Sequence, residues 1–316
     1  MIGILGAGAL GRLWAACLPA GRAGFIPRPA ELPGANTRYR FRPFDGQETT
    51  VDVPWLGPED APELILVTTK AGSTFEAIAG VIDRFARHTP VVLFQNGMGS
   101  QQAVVAQWPD RPILAASTTE GANRPEPDLL VHAGTGDTWI GPMTEPAQGL
   151  PGTTVNFLNT SGLTIHAEQD IVQRLWQKLI INAGINPYTA LLDCPNGDIL
   201  ASSLYQGTIN GLCHELSALM RASGQGEDAP DALRQRIETV AHNTAGNTSS
   251  MRADVLKGRT TEIDFINGYL TRLGKQLGIN TPVNQMLTQR VQQLSSHSQE
   301  QHDGQSPFQD LHPHRR

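Results

Sequence analysis

The chain of 316 residues carries a formal net charge of −6, with 39% hydrophobic and 17% charged residues. That length accommodates two domains with a substantial core, and an acidic balance without a basic run argues against nucleic acid as a partner. Cys17, Cys194 and Cys213 are odd in number, widely spaced and form no C-x-x-C pair, which suits a reducing cytosol and gives no sign of a disulfide framework or zinc site.

The first apolar run, Ile2–Leu5, predicts a strand, and Gly6–Gly11 opens a helical pattern through Leu13, Trp14 and Leu18. Four glycines in the first eleven residues suit a strand and turn better than a secretion segment, and no apolar run approaches a membrane span. A second strand is expected over Gly24–Ile26, ended by Pro27 and Pro29. Glu63–Thr68 (ELILVT) reads as a buried strand followed by a helix around Phe75–Phe85. Val91–Phe94 and Ile113–Ala116 are further strands. Strands interleaved with helices imply parallel pairing and right-handed crossovers. Asp128–His132 and Asp137–Gly141, separated by Gly134 and Gly136, read as a hairpin closing the sheet. From about Ile165 the texture turns helical, from Asp170 to Leu294, with breaks expected at Pro187, Pro195–Gly197, Gly224–Gly226 and Gly278–Pro282. From Ser295 the apolar period is lost and a disordered tail is expected. The spacing of His297, His302, His312 and His314 matches no defined metal site, and no metal is expected.

Gly6-Ala7-Gly8-Ala9-Leu10-Gly11 is G-x-G-x-x-G directly after a predicted strand and at the start of a helix. Glycines there allow a tight turn, close approach of a pyrophosphate and tight helix–strand packing, and the helix N-terminus offers free N–H groups to phosphates. A structural glycine turn is the alternative, and the βαβ context weighs against it. Cofactor type depends on the end of the second strand, where an acidic residue bonds the ribose 2′-OH of NAD. Arg28 sits there and favours the 2′-phosphate of NADP, while Glu31, three residues on, keeps NAD open. Lys70 after ELILVTT, Asn96-Gly97 after VVLFQ, and Thr118–Ala122 all follow predicted parallel strands, where ligands of open α/β sheets bind.

In the helical half, Lys178, Asn182 and Asn186 recur at four-residue steps among Leu175, Trp176, Leu179, Ile180, Ile181, Ala183 and Ile185. Each step turns only about 40° past a full turn, so the three share one face of a helix. Polar groups in line on an otherwise apolar helix are costly to bury unless hydrogen-bonded, as by a small polar ligand. The other reading is a solvated stripe that continues through Asp170 and Arg174 as a surface i,i+4 pair. Further on, Ser250 reads as a helix cap and Glu262 as a complement to the positive end of the next helix.

GAGALGRLW, VTTKA, QNGMG, KLIINAGINPYTALLDCPNG and NTSSM with TEIDFINGYL resemble, in this order, the blocks of the ketopantoate reductase (2-dehydropantoate 2-reductase) family. The likeness runs from Met1 to about Leu294. It implies a Rossmann-type doubly wound α/β domain over 1–166, an all-α domain over 167–294 with the active site between the two, and a tail over 295–316. The reaction implied is NADPH-dependent reduction of 2-dehydropantoate to (R)-pantoate, on the route to pantothenate and coenzyme A. Carried over by position, Lys178 is the general acid, and Asn182, Asn186, Asn196 and Ser250 bind substrate. Gly6, Ala7, Gly8, Ala9, Leu10, Gly11, Arg28, Lys70, Ala122 and Glu262 serve NADPH, with Asn96 near both ligands. The partner implied is a small 2-oxo acid, with no membrane or nucleic acid, for a cytoplasmic monomer or homodimer. Two alternatives stay open: an NADP-dependent reductase of another 2-oxo acid on the same plan, and a non-catalytic NADPH-binding regulator. Lys178 counts against the regulator, which needs no proton donor.

Overall fold

The structure, a computed structural model, describes residues 1–28 and 36–303, the stretch 295–303 by its backbone alone. Glu31 lies outside the described residues. The chain divides into two compact units, Met1–Lys178 and Leu179–Arg316. This cut falls twelve residues past the expected boundary at 166, inside a helix that runs unbroken from Ile171 to Leu192.

In the first unit the elements run β1 (Ile2–Leu5), α1 (Ala9–Cys17), β2 (Ala23–Phe25), β3 (Asn36–Arg42), β4 (Thr49–Pro54), β5 (Leu64–Val67) and α2 (Ala71–Ala79). They continue with β6 (Val91–Leu93), α3 (Ser100–Gln107), β7 (Ile113–Thr118), β8 (Gly121–Glu126), β9 (Leu129–Gly134), β10 (Asp137–Pro142), α4 (Pro151–Leu158) and β11 (Thr164–Ala167). The main sheet has seven strands in the order β11-β10-β7-β6-β5-β1-β2. Its strands from β2 to β7 are parallel, β10 runs antiparallel to β7, and β11 runs parallel to β10. The chain leaves β1 for β2 on one side and returns to β5 on the other. This is the switch point at which doubly wound sheets bind ligands.

The parallel strands IGIL, LILV and VVL are buried along their whole length, as expected of strands covered on both faces. Alternation sends Leu64 and Leu66 toward Trp14 of α1. Ile65 and Val67 pack on the other face with Ile78 and Phe85. The expected helix around Phe75–Phe85 starts earlier and stops at Gly80, leaving a single 3-10 turn over Ile82–Arg84.

The expected hairpin is not formed. β9 joins β3, β4 and β8 in a separate four-stranded sheet, whereas β10 pairs with β7 and β11. The glycines between them carry the chain from one sheet to the other. A Cβ on Gly136 would lie 2.7 Å from the Thr119 backbone, so only glycine lets the strand pass the end of β7.

The second unit has no strand among its described residues. It is built from α5 (Ile171–Leu192, shared with the first unit), α6 (Ser203–Ala222), α7 (Pro230–Asn243), α8 (Ser250–Leu256), α9 (Asn267–Leu277) and α10 (Pro282–Asp303). The α/β sheet followed by helices is the expected fold class. Two boundaries differ from expectation. Pro187 does not break α5. The carbonyl that a residue-187 N–H would have satisfied, Ala183 O, instead accepts from Asn267 Nδ2 at 3.3 Å. α10 continues past Ser295 to Asp303, because Ser, Gln, Glu and His tolerate a helix and the next breaker is Gly304. Residues 304–316 lie outside the described residues.

Candidate active site

The first unit builds its site around the turn from β1 to α1. Gly6 adopts φ +114°, a conformation that L side chains rarely take, and Thr68 Oγ1 donates to its carbonyl at 2.7 Å. A Cβ on Gly11 would stand 2.0 Å from Gly6 O and 2.6 Å from Thr68 Oγ1, so helix and turn meet backbone to backbone. A Cβ on Gly8 would meet nothing within 4 Å. The N-cap of α1 is Gly8, which has no side chain to cap the first N–H groups of the helix. A groove of about 810 Å³ runs from this turn and is lined by Gly6, Ala7, Gly8, Ile26, Arg28, Trp55, Thr68, Thr69 and Lys70. The structure thus gathers Arg28, Lys70 and the start of the glycine turn along one groove at the switch point. Arg28 is exposed at its rim, and Lys70 is the exposed residue that opens α2.

Sequence reasoning passed over several residues that shape this region. Arg12 Nε donates to Ala7 O at 3.1 Å, and its guanidinium lies over the Tyr39 ring at 4.9 Å. Burial first, and the nearby Arg124 second, lower its pKa. Positive potential therefore gathers beside the amino end of α1, which suits phosphate. Gln95, 3% exposed, donates to Val67 O at 2.9 Å and Thr69 O at 3.1 Å, tying the ends of β5 and β6 together next to half-buried Asn96. Only the position of Gln95 at the end of VVLFQ could have signalled this role. Past β7, Glu120 and His132 form a buried pair at 2.6 Å. Ala122 sits opposite His132 on β8, in the smaller sheet, and is half-buried.

Lys178 is the last residue of the first unit. Its ammonium donates to Thr118 O, at the carboxyl end of β7, at 2.8 Å. The lysine is half-buried, and Thr118 is 8% exposed. α5 therefore delivers a cation to the strand-end edge of the sheet that also carries the glycine turn.

In the second unit, Asn182 is half-buried, while Asn186 and Asn196 are buried. Asn196 Nδ2 donates to Thr244 Oγ1 at 2.9 Å, and its buried Oδ1 accepts no hydrogen bond among the described residues. Two bonds bring the 247–250 segment to these asparagines. Asn196 N donates to Asn247 O at 3.0 Å, and the hydroxyls of Thr189 and Ser249 lie 2.6 Å apart. Asn186, Asn196 and the amino end of α8 thus form one polar cluster.

Three local expectations change. The cap of α8 is Ser249, whose Oγ accepts from Arg252 N at 3.1 Å; Ser250 is the first helical residue and is exposed. Glu262 precedes a 3-10 turn over Ile263–Phe265, not the α-helix, which begins at Asn267 after Ile266 bends the backbone. Arg174 pairs with Glu168 at 2.9 Å, whereas Asp170 Oδ1 accepts from Gln173 N at 3.1 Å to cap the start of α5. The Asp170 carboxylate satisfies an orphan amide there, which outweighs a solvated i,i+4 pair.

A doubly wound sheet with a glycine turn at its switch point, joined to a helical unit, defines a protein of the Rossmann class. Comparison with known proteins narrows this. A sequence model described as ketopantoate reductase PanE/ApbA matches residues 2–145, and one for the C-terminal part of the same family matches residues 170–295. The 2-dehydropantoate 2-reductase of Vibrio cholerae is 36% identical over 73% of this chain and 77% of its own length. That of Archaeoglobus fulgidus is 32% identical over 93% and 97% respectively. Among solved structures, a D-mandelate dehydrogenase with NADH and anilino(oxo)acetate superposes with a TM-score of 0.83 over 95% of this chain and 99% of its own, at 22% identity. That likeness speaks to the fold alone. The chain belongs to the ketopantoate reductase family.

Proposed function

We propose that this chain reduces 2-dehydropantoate to (R)-pantoate with NADPH, on the route to pantothenate and coenzyme A. The observation that carries the reading is the Lys178 ammonium at 2.8 Å from the carbonyl that ends β7, on the ligand-binding edge of a sheet with a glycine turn. Family membership supplies the substrate, since the curated relatives in Vibrio cholerae and Archaeoglobus fulgidus are 2-dehydropantoate 2-reductases.

The groove residues fit a dinucleotide phosphate. Gly8 leaves its backbone open to close approach, the uncapped end of α1 offers N–H donors, and Arg12 holds the turn. Arg28 on the groove rim supports the 2′-phosphate of NADP over the bare ribose of NAD, with Lys70 a second cation on the same groove. Ala9, Leu10, Gly11, Asn96, Ala122 and Glu262 complete the proposed cofactor set. With NADPH held by these residues, hydride for the 2-oxo carbon would come from its dihydronicotinamide ring.

The protein stabilises the negative charge that develops on the ketone oxygen. Lys178 places its ammonium against that oxygen and gives up a proton from Nζ, leaving the alcohol and a neutral amine. The Thr118 carbonyl orients the ammonium in the resting chain. Asn182, Asn186, Asn196 and Ser250 would hold the substrate's hydroxyl and carboxylate, and the open acceptor of Asn196 suits a hydroxyl donor. Neutral amides orient such groups without adding charge beside the reacting oxygen. Three free thiols suit the cytoplasmic location we assign.

The test is oxidation of NADPH on addition of 2-dehydropantoate, with the unaltered enzyme and with Lys178→Ala. The variant is expected to lose about 10²–10⁴-fold in kcat, the range for removal of a general acid, while binding NADPH almost as before. No oxidation by the unaltered enzyme, or a normal kcat in folded Lys178→Ala, would overturn the reading.

A further inference from the structure

On α5, Asn182 and Asn186 each immediately precede one end of a missing hydrogen bond, Ala183 O and position 187. Pro187 has no N–H to give to Ala183 O, four residues back, and a proline in a helix interior normally breaks or kinks it. Asn267, the first residue of α9, donates from Nδ2 to that carbonyl at 3.3 Å and to Asn284 Oδ1 at 3.0 Å. Asn284 Nδ2 donates in turn to Glu215 Oε2 at 2.7 Å. The Glu215 carboxylate also accepts from the amides of Val283 at 2.7 Å and Asn284 at 3.0 Å, at the start of α10. Asn267 and Asn284 are fully buried and Glu215 is 7% exposed. On the neighbouring turn of α5, a Cβ on Gly184 would lie 2.6 Å from Ile237 Cδ1, so α7 is seated directly on the backbone there. Four helices are therefore tied to one turn of α5, three of them (α9, α10 and α6) through a continuous line of buried polar bonds.

A core built for stability alone has a simpler solution. An alanine at 187 would restore the helical bond and make the buried Asn267 amide unnecessary at that carbonyl, leaving Glu215 and Asn284 to the start of α10, so one group that is expensive to desolvate could be dispensed with. What the proline and its relay together fix is direction. The carbonyl of residue 183 directly follows Asn182 and position 187 directly follows Asn186, so the geometry of this missing bond bears on the turn that relates the two asparagines.

We infer that Asn267, held by Asn284 and Glu215, is a positioning residue that sets the relative orientation of Asn182 and Asn186 and so selects the shape of the 2-oxo acid. This rests on the proposed role of those two asparagines as substrate ligands. It makes the INGYL segment of α9 part of substrate selection, although Asn267 itself touches only α5 and α10 in the contacts described above.

The experiment compares Asn267→Leu, Pro187→Ala and the double variant with the unaltered enzyme. Hydrogen exchange is read over residues 184–190, and KM and kcat are read for 2-dehydropantoate and for a shorter 2-oxo acid lacking the hydroxymethyl group. Asn267→Leu should lose exchange protection in that segment. Its KM for 2-dehydropantoate should rise about tenfold, with KM for NADPH within about twofold. The preference over the shorter acid should shrink. Pro187→Ala supplies an amide to Ala183 O, so the double variant should regain protection without regaining the low KM. Should Asn267→Leu fail to fold, the double variant decides the matter, since its carbonyl is satisfied by the backbone. A purely structural role predicts altered exchange and melting temperature with substrate KM unchanged, and that result overturns the inference. So does unchanged exchange protection. An unaltered enzyme inactive on 2-dehydropantoate would instead defeat the functional reading itself, and is told apart by appearing before any variant is made.

Discussion

Gly8 and Gly11 belong to the same glycine motif but have opposite surroundings, and substituting each by alanine separates packing from cofactor binding. At Gly11 the new methyl would stand 2.0 Å from Gly6 O and 2.6 Å from Thr68 Oγ1. The first of these is backbone and cannot swing aside, so the turn must shift. Overpacking of this kind costs about 1–3 kcal/mol, and for a unit of this size each kcal/mol is about 2–4 °C, so melting should fall by roughly 2–12 °C. At Gly8 the new methyl meets nothing within 4 Å, and the residue already has φ −74°, which alanine adopts freely. The only structural penalty is a poorer helix cap, of about 1 kcal/mol or less. Gly8→Ala should therefore melt within about 3 °C of the unaltered protein. If the pyrophosphate rests against that backbone, the same methyl should weaken NADPH binding by tenfold or more, about 1.4 kcal/mol. Scanning calorimetry and a fluorescence titration with NADPH measure both quantities on the same samples. Unchanged NADPH affinity in Gly8→Ala would refute the placement of the phosphates at this turn.

Arg28→Ala should raise KM for NADPH much more than KM for NADH, as removal of a 2′-phosphate ligand requires; equal catalytic efficiency with both cofactors in the unaltered enzyme would rule out the NADP assignment. Burial pushes the Cys17 thiol up to about 11, with Glu120 adding to the rise, and pushes the Cys213 thiol up to about 12. At pH 8 these thiols should react with iodoacetamide some ~10²–10³-fold more slowly than a free cysteine, because only the thiolate attacks. Cys194, half-buried and raised mainly by burial to a lesser degree, should be labelled first in mass spectra. Equal labelling of all three in the folded protein would contradict the burial described for them.

The parts of the fold visible in the sequence were those in which local pattern and tertiary use coincide. Strands such as ELILVT are apolar on both faces because the sheet is covered on both faces, and the glycine motif needs its residues for backbone reasons that hold wherever it occurs. The smaller sheet was invisible for the opposite reason. β3 is NTRYRFR and β8 is GANRPE, mostly polar strands with one side open to solvent, and nothing in their composition separates them from loops. The assumed hairpin failed because strand propensity says nothing about partner choice. Asp137–Pro142 has the right residues for a strand whichever sheet it enters, and only the close pass of Gly136 by Thr119 decides the matter. Gln95 and the Glu120–His132 pair were passed over because each acts on a group well separated in the sequence, and Arg12 because its partner, Ala7 O, is a backbone atom that no residue pattern marks.

The polar stripe on α5 shows where a periodic pattern stops being informative and burial takes over. Four-residue spacing from Asp170 through Asn186 is compatible with one continuous solvated face. The structure divides that face by environment. Its first members are occupied with surface work, Asp170 capping the helix and Arg174 bonded to Glu168. Lys178 and Asn182 are half-buried, and Asn186 is 7% exposed. A solvated stripe should not sink steadily into the protein along its length, because each buried amide gives up water that must be replaced. Helical period alone could not reveal the gradient, since the partners of the carboxyl half of α5, Ser249 at Thr189, Asn267 at Ala183 O and Ile237 beside Gly184, lie far on in the sequence. The proline that seemed to forbid a helix there is held in it by an asparagine from 80 residues downstream. The stretch with the strongest apparent helix breaker is thus tied through its orphaned carbonyl to another helix of its unit. That is the arrangement expected where the direction of two side chains matters more than the regularity of the helix carrying them.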